Sequence, residues 1–210
     1  MLQISTEFFT GKTATVYEGN NAEQTPSLLL HICCAPCSPY ILQELKKNFS
    51  LSCFFYNPNI HPEEEYDFRY KELVALTEEY GLPLEKGSYN TKAWFALNGK
   101  LGNLPEKSER CDNCIQLRLE TAAKKAQEEG FDFFSTVLSV SPHKDAEKIN
   151  LMGKNLSTKY GIPFLYADFK KKNGFLNTLT LSKELNLQRQ NYCGCTFSKM
   201  RTLEKMMTKV

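Results

Sequence analysis

No stretch of this chain approaches the roughly 20 consecutive apolar residues that a membrane-spanning helix needs, so a membrane protein is not expected. The first residues, Met1-Leu2-Gln3-Ile4-Ser5, show no charged region followed by an apolar block, so no export signal is expected either. An excess of charge of one sign is also missing. The formal net charge is only +2, which excludes an overwhelming basic field. No internal repeat or low-complexity segment is visible, and no glycine-rich phosphate loop follows the first predicted strand. That last absence disfavours a nucleotide-cleaving enzyme. What remains is an ordinary globular composition, 41% hydrophobic and 24% charged over 210 residues. It suits one compact α/β domain with decoration, at most two domains, in the cytoplasm, where thiols are kept reduced.

Cysteine is what the chain has in plenty. There are eight, and seven fall in three tight groups: Cys33, Cys34 and Cys37; Cys111 and Cys114; Cys193 and Cys195. Only Cys53 is isolated, inside Leu51-Ser52-Cys53-Phe54-Phe55-Tyr56, where it reads as a small buried hydrophobe. Secreted disulfide scaffolding is a poor explanation for a chain of this length without an export signal. Metal binding, redox chemistry or both is the better reading of the other seven.

The first group ends an apolar run, Leu28-Leu29-Leu30-His31-Ile32, which reads as a buried strand bounded by Pro26 and Pro36. Pro36 and Pro39 suit the first turn of a following helix. The thiols therefore sit on a strand-to-helix turn, where open α/β sheets place their ligands. Neighbouring residues of a strand point to opposite faces. Cys33 and Cys34 are accordingly expected to serve two adjacent centres and not one small ion, while Cys34 and Cys37 have the spacing of one turn gripping one centre.

Residues 1–26 are polar and weakly patterned and read as an N-terminal extension to a single metal-binding α/β catalytic domain, residues 27–210. After the first strand, Ile41, Leu42 and Leu45 form a helical stripe. Strands are expected at 51–56, 82–84, 131–140 and 162–166. Helices are expected at 63–80 (with Tyr66, Tyr70, Leu73, Val74 and Thr77 on one face and Gly81 as the stop), from Cys111 onward (Ile115, Leu119, Ala122, Ala123, Ala126), at 145–160, at 176–187, and at the C-terminus. Residues 87–109 read as a looser insertion. Strands alternating with helices argue for a mostly parallel sheet covered on both faces, with a helical C-terminal part.

Cys111 and Cys114 open a helix, so amides and the positive end of its dipole face their sulfurs, which favours thiolate and suits an anionic cluster. With the first group they offer five thiolates. Four would close a structural zinc site, and four would equally hold a cubane iron–sulfur cluster; spacing does not separate the two. Cys193-Gly194-Cys195 is a different object. Its single small spacer suits a dithiol that cycles with a strained disulfide, and two further metal ligands remain the alternative.

His31-Ile32-Cys33-Cys34-Ala35-Pro36-Cys37, Tyr56-Asn57-Pro58-Asn59-Ile60, Arg110-Cys111-Asp112-Asn113-Cys114 and Arg189-Gln190-Asn191-Tyr192-Cys193-Gly194-Cys195, in that order, resemble the signature set of the QueH-type, cobalamin-independent epoxyqueuosine reductases. The resemblance runs from about Leu28 to about Ser198. It implies a fold of the PP-loop and adenine-nucleotide-hydrolase kind. The implied reaction is the two-electron reductive deoxygenation of epoxyqueuosine to queuosine at the wobble position of tRNA. The implied cofactors are a [4Fe-4S] cluster and an adjacent mononuclear iron, the iron acting as a Lewis acid on the epoxide oxygen. Carried over, Cys33, Cys34, Cys111 and Cys114 become ligands of this assembly, with Cys37 beside them, and Cys193 and Cys195 become the redox pair. A low-potential donor such as a ferredoxin or flavodoxin is implied as electron source.

His31, Tyr192 and Asp112 are candidate proton donors or hydrogen-bonding partners of the ligands, with an ordinary structural role favoured for His31. Lys170, Lys171, Lys172, Arg189, Lys199, Arg201 and Lys205 concentrate in the C-terminal quarter. With Trp94 and Tyr192 as exposed aromatics they would suit a splayed anticodon loop. Two other function classes stay open at this level: a zinc-binding nucleic-acid module, and a thiol–disulfide oxidoreductase built on Cys193 and Cys195.

Overall fold

The computed structural model describes residues 25–208. The expected extension, residues 1–26, lies outside the described residues except for its last two positions. Four strands, β1 (Ser27–His31), β2 (Ser50–Phe55), β3 (Leu84–Lys86) and β4 (Phe133–Thr136), form one sheet in the order β3-β2-β1-β4. Every pairing is parallel. The helices are α1 (Pro39–Leu45), α2 (Glu63–Glu79), α3 (Thr91–Asn98), α4 (Glu109–Glu128), α5 (Ala146–Tyr160), α6 (Gly174–Glu184) and α7 (Thr196–Met207).

The alternation of side chains along the central strands divides the core in two. Leu28 and Leu30 of β1, with Cys53 and Phe55 of β2, pack with Ile41, Leu42 and Leu45 of α1 and Tyr66, Leu73 and Leu76 of α2. Leu29 and Phe54 face the other way, onto Ile115, Leu119, Ala122, Ala123 and Ala126 of α4 and Ile149 and Leu156 of α5. Both faces are covered, as a parallel sheet requires, and this is why β1 reads as a near-continuous apolar run. A third, smaller cluster around Trp94 joins α3, α4 and α7.

Several boundaries differ from the sequence reading. The strand expected at 162–166 is reduced to a single bridge, Phe134 to Phe164, held by Phe134 N–H to Pro163 O (3.0 Å) and Leu165 N–H to Phe134 O (2.9 Å). Pro163, within it, has no N–H to give to a ladder. The strand expected over 131–140 stops at Thr136, whose hydroxyl accepts from Leu138 N–H (3.2 Å) and turns the chain into a short 3-10 segment, Val137–Val140. The third strand lies at 84–86 instead of 82–84. The insertion at 87–109 is built on α3 and a 3-10 turn. α6 starts two residues early, at Gly174. On α2 the buried set contains Arg69 where Val74 was expected. Gly81 does end that helix region, with φ +63°.

Strand order carries the consequence for function. The chain runs outward from β1 to β2 and β3, then returns to β4 on the other side of β1. The crevice at the carboxyl ends of β1 and β4 is therefore the topological switch point, where open α/β sheets bind ligands.

Candidate functional site

β1 ends at His31, and its last side chain is wholly structural. His31 Nε2 lies 3.1 Å from the Tyr56 carbonyl and must donate to it, so Nδ1 accepts from the Thr136 hydroxyl at 2.8 Å. Burial first, then the Arg118 charge, lowers its pKa to about 4, so the ring is neutral and spans β1, β2 and β4. Asn57 Nδ2 donates to the Ile32 carbonyl (2.9 Å) and fixes the next residue.

Beyond Ile32 the backbone leaves the sheet, and this corrects the expectation of opposed thiols. Cys33 lies in a bend and Cys34 caps a 3-10 turn, Ala35–Cys37. The alternation of a strand no longer applies, and the sulfurs converge: Cys33 Sγ lies 3.7 Å from Cys34 Sγ. All three sulfurs of Cys33, Cys34 and Cys37 lie within 4.8 Å of one another. Hydrogen bonds from Cys34 and Cys37 hold the Cys33 thiol well below the ordinary thiol range, whereas the same proton sharing pushes Cys34 and Cys37 up. The trio titrates as a unit.

Cys111 and Cys114 stand in the first turns of α4, as the spacing suggests. Arg118, one turn further along, is buried; its Nε donates to the Cys114 carbonyl (3.1 Å) and its Nη1 to Asn57 Oδ1 (3.4 Å). This ties the start of α4 to the loop after β2.

The third group reaches the crevice from the C-terminal side. Cys193 and Cys195 sulfurs are 3.6 Å apart and both are free thiols. Gly194 sits between them at φ +99°, and a Cβ there would meet Ile60 Cγ1 at 2.9 Å and Arg69 Nη1 at 3.0 Å. Its carbonyl accepts from His61 N–H at 2.9 Å. The pair behaves as one acid. The S–H···S bond with Cys195, helped by Lys144, holds Cys193 well below the ordinary thiol range, and the same bond with burial pushes Cys195 up.

All seven grouped cysteines line one cavity of about 540 Å³. Arg69, Arg110, Arg118, Lys144, Arg189 and Arg201 share its wall with a single carboxylate, Glu106. An all-thiolate donor set among cations fits a negatively charged iron–sulfur cluster by ligand type and by charge. Tyr192 also lines the cavity. Asp112 instead pairs outward with Lys148 at 3.2 Å.

Two expectations about the nucleic-acid surface are corrected. Trp94 is fully buried, with its ring 5.9 Å from Phe197 and 5.2 Å from His61, so it is a packing residue and not a stacking platform. Lys170 is engaged, with Asp168 at 3.0 Å and the Ser139 carbonyl at 2.9 Å. Lys171 and Lys172 are exposed. The residues that sequence reasoning passed over are the buried arginines, Arg69 and Arg118. The available signal was a cation at a core position of an amphipathic helix, one turn from Tyr66 or from Cys114. No helix among the described residues is long and apolar enough to cross a membrane.

Comparison with known proteins identifies the family. Residues 28–201 match the family described as epoxyqueuosine reductase QueH. A curated relative of that name from Thermotoga maritima is 37% identical over 182 residues, covering 85% of this chain and 93% of the relative. Another, from Acinetobacter baylyi, is 38% identical over 178 residues, covering 84% and 82%. Two solved structures share the fold. The U34-tRNA thiolase NcsA from Methanococcus maripaludis, solved with its [4Fe-4S] cluster, superposes with TM-score 0.55 at 16% identity, over 84% of this chain and 62% of that one. A structure described as a predicted subunit of tRNA methyltransferase from Methanocaldococcus jannaschii gives 0.54 at 11% identity, over 73% and 74%. At such identities the likeness concerns the fold alone. The family match, the length over which the relatives align and the order of the cysteine motifs lead to one conclusion: the chain belongs to the QueH family of epoxyqueuosine reductases, oxidoreductases of tRNA modification.

Proposed function

We propose that the chain removes the epoxide oxygen of epoxyqueuosine at the wobble position of tRNA in a cytoplasmic two-electron reduction. In this reading Cys33, Cys34, Cys37, Cys111 and Cys114 hold a [4Fe-4S] cluster and an adjacent iron, and Cys193 and Cys195 form a redox-active dithiol. The observation that carries the proposal is the convergence of the seven grouped cysteines on one cation-lined cavity at the switch point of the sheet. When bound, the iron centres supply single electrons, drawn from a low-potential donor such as a ferredoxin or flavodoxin, and a Lewis acid for the epoxide oxygen.

The chain's own residues prepare the site for this work. Buried Arg118 and Arg69 place positive charge beside Cys33 and Cys34, which lowers the cost of gathering thiolates in a site shielded from water. The Arg189 guanidinium does the same at Cys37 and anchors the approach to the redox pair by donating to the Pro36 carbonyl at 3.3 Å. Lys205, on the face of α7 that lines the cavity, meets an incoming polyanion, while the Arg201 guanidinium donates to the Gly102 and Leu104 carbonyls. Walls of protein around the cysteines keep solvent from the reacting carbon once the nucleoside fills the cavity.

The proposal is tested by anaerobic purification with iron and sulfide counts and single-turnover reduction. Cys111→Ser or Cys114→Ser should lose the cluster, because a hydroxyl is a harder and weaker ligand for iron than thiolate. Cys193→Ser should keep its iron and lose turnover. Full iron and sulfide content in the Cys111 and Cys114 variants would remove both from the ligand set; zinc without acid-labile sulfide in the parent would overturn the reading.

A further inference from the structure

We propose that Arg110 is the positioning residue of the Cys193–Cys195 pair: its guanidinium holds the Cys195 sulfur as the leaving sulfur, and so sets the pair's reduction potential and the sulfur at which exchange begins. The inference rests on the redox reading of that pair.

Three donors converge on one sulfur. Arg110 Nη1 donates to Cys195 Sγ at 3.1 Å, and Ser198 N–H, in the first turn of α7, donates to it at 3.3 Å. The Cys193 thiol points at the same sulfur from 3.6 Å. Cys195 is only 4% exposed, while Cys193 is half-buried and open to the cavity. Arg110 itself is 1% exposed and makes no ion pair with a carboxylate among the described residues. Its other nitrogen, Nη2, donates to the Leu104 carbonyl at 3.3 Å, and the guanidinium lies 5.2 Å from the Phe197 ring centroid. The cation is thus held in place by groups that do not neutralise it, with the Cys195 sulfur as its side-chain hydrogen-bond acceptor.

Hydrogen bonds from a cation strengthen as the acceptor gains negative charge. Those at Cys195 are therefore stronger to the reduced sulfur than to the same atom in a disulfide, and they favour the dithiol. They also assign the two sulfurs different parts. With a dithiol as reductant, one reductant thiolate bonds to the open Cys193 sulfur. The Cys193–Cys195 bond breaks, and its electron pair leaves on Cys195, towards Arg110 and Ser198 N–H. The second reductant thiolate then attacks the mixed disulfide and releases Cys193 as thiolate. The reductant departs as a disulfide, having passed two electrons to the pair and its two protons to solvent and the new thiols. The Cys193 sulfur and burial push the Cys195 thiol up, and Ser198 N–H and Arg110 are the groups that pull it down, so they are what makes Cys195 a better leaving thiolate and speeds such exchange. Because Arg110 adjoins Cys111 in the chain, one residue connects the proposed metal ligands with the proposed redox pair.

The test uses the full-length protein, purified anaerobically, equilibrated in buffers of oxidised and reduced dithiothreitol, alkylated, and read by peptide mass. Arg110→Gln should shift the dithiol–disulfide equilibrium about tenfold towards the disulfide, which is a potential ~30 mV more negative. Arg110→Lys, which keeps the charge but not the fork, should shift it less, and it serves as the readout if the Gln variant does not fold. With an activated small disulfide, Cys195→Ser should form the mixed disulfide on Cys193 faster than Cys193→Ser forms it on Cys195. Parental potentials in both Arg110 variants, or faster capture at Cys195, would overturn the proposal. A parent protein that stays dithiol in every buffer would instead refute the redox reading beneath it.

Discussion

Gly194 offers a measurement of how tightly the Cys193–Cys195 loop is seated. In Gly194→Ala the new Cβ meets two separate obstacles. The backbone sits at φ +99°, a conformation that side-chain-bearing residues avoid at a cost of about 1–3 kcal/mol. The Cβ would also lie 2.9 Å from Ile60 Cγ1 and 3.0 Å from Arg69 Nη1, inside ordinary contact distance. Ile60 is 1% exposed and Arg69 3%, so neither can swing into solvent, and such overpacking costs about 1–3 kcal/mol more. Gly81→Ala is the internal standard, because Gly81 has φ +63° with nothing within 4 Å of its Cβ position and therefore carries the backbone cost alone. Denaturant melts of parent and both variants, matched for iron content, should place Gly194→Ala below Gly81→Ala by about 1–3 kcal/mol, or roughly 2–12 °C in melting temperature for a chain of this size. Equal destabilisation of the two variants would mean that the loop does not rest against Ile60 and Arg69, and the account of how the two thiols are fixed would fail with it.

Burial holds the His61 pKa below 6.5, so the folded ring is neutral where the unfolded ring takes a proton. Its contribution is therefore present above pH 6.5 and lost as pH falls towards the folded value, with a slope of at most about 1.4 kcal/mol per pH unit. His61→Phe, in contact with Trp94 and Phe95, should flatten the decline of urea midpoints between neutral and acid pH; an unchanged decline would place the titration elsewhere. The nucleic-acid surface is probed by two contrasting variants. Lys205→Ala should reduce the slope of log affinity for tRNA against log salt by about 0.7, whereas Trp94→Phe should leave that affinity unchanged and lower stability alone. A salt slope unmoved by Lys205→Ala, or an affinity loss in Trp94→Phe, would reverse these assignments.

Much of this was legible in the chain because the relevant signals are local. The stripe from Ile115 to Ala126 has a period that fits only a helix lying on a sheet, and all five residues are buried against it. Cys53 sits mid-strand, 1% exposed, and burial pushes its thiol up to about 12, as befits an inert core residue. The errors arise where local pattern meets tertiary context. Period-two alternation ends with β1 at His31, so it does not set Cys33 and Cys34 on opposite sides, and the bend brings their sulfurs together. A lone tryptophan in a glycine-bearing segment looked exposed, yet α3 folds it beneath Phe197. Pro163 lacks the donor that a full fifth strand would need there, and only the Phe134–Phe164 bridge forms.

The buried arginines are the least expected feature and explain the most about the site. Burying a guanidinium without a carboxylate is costly, and a net charge of +2 gives no hint that cations would be concentrated at one place. Arg118 and Arg110 are nonetheless buried without a carboxylate bonded to either among the described residues, and each contacts a carbonyl and lies near a sulfur. Arg69 keeps Glu65 at 2.6 Å and still acts on Cys34. These positions make sense if the sulfurs carry negative charge in the working protein, since every grouped thiol then has a cation near it: Arg118 for Cys33, Arg69 for Cys34, Arg189 for Cys37, Lys144 shared by Cys111, Cys114 and Cys193, and Arg110 for Cys195. A structural zinc clip would need only four thiolates, whereas seven gather here. The distribution of cations, one beside each group of thiols around a cavity large enough for a nucleoside, is the electrostatic preparation that electron transfer to a polyanionic substrate demands.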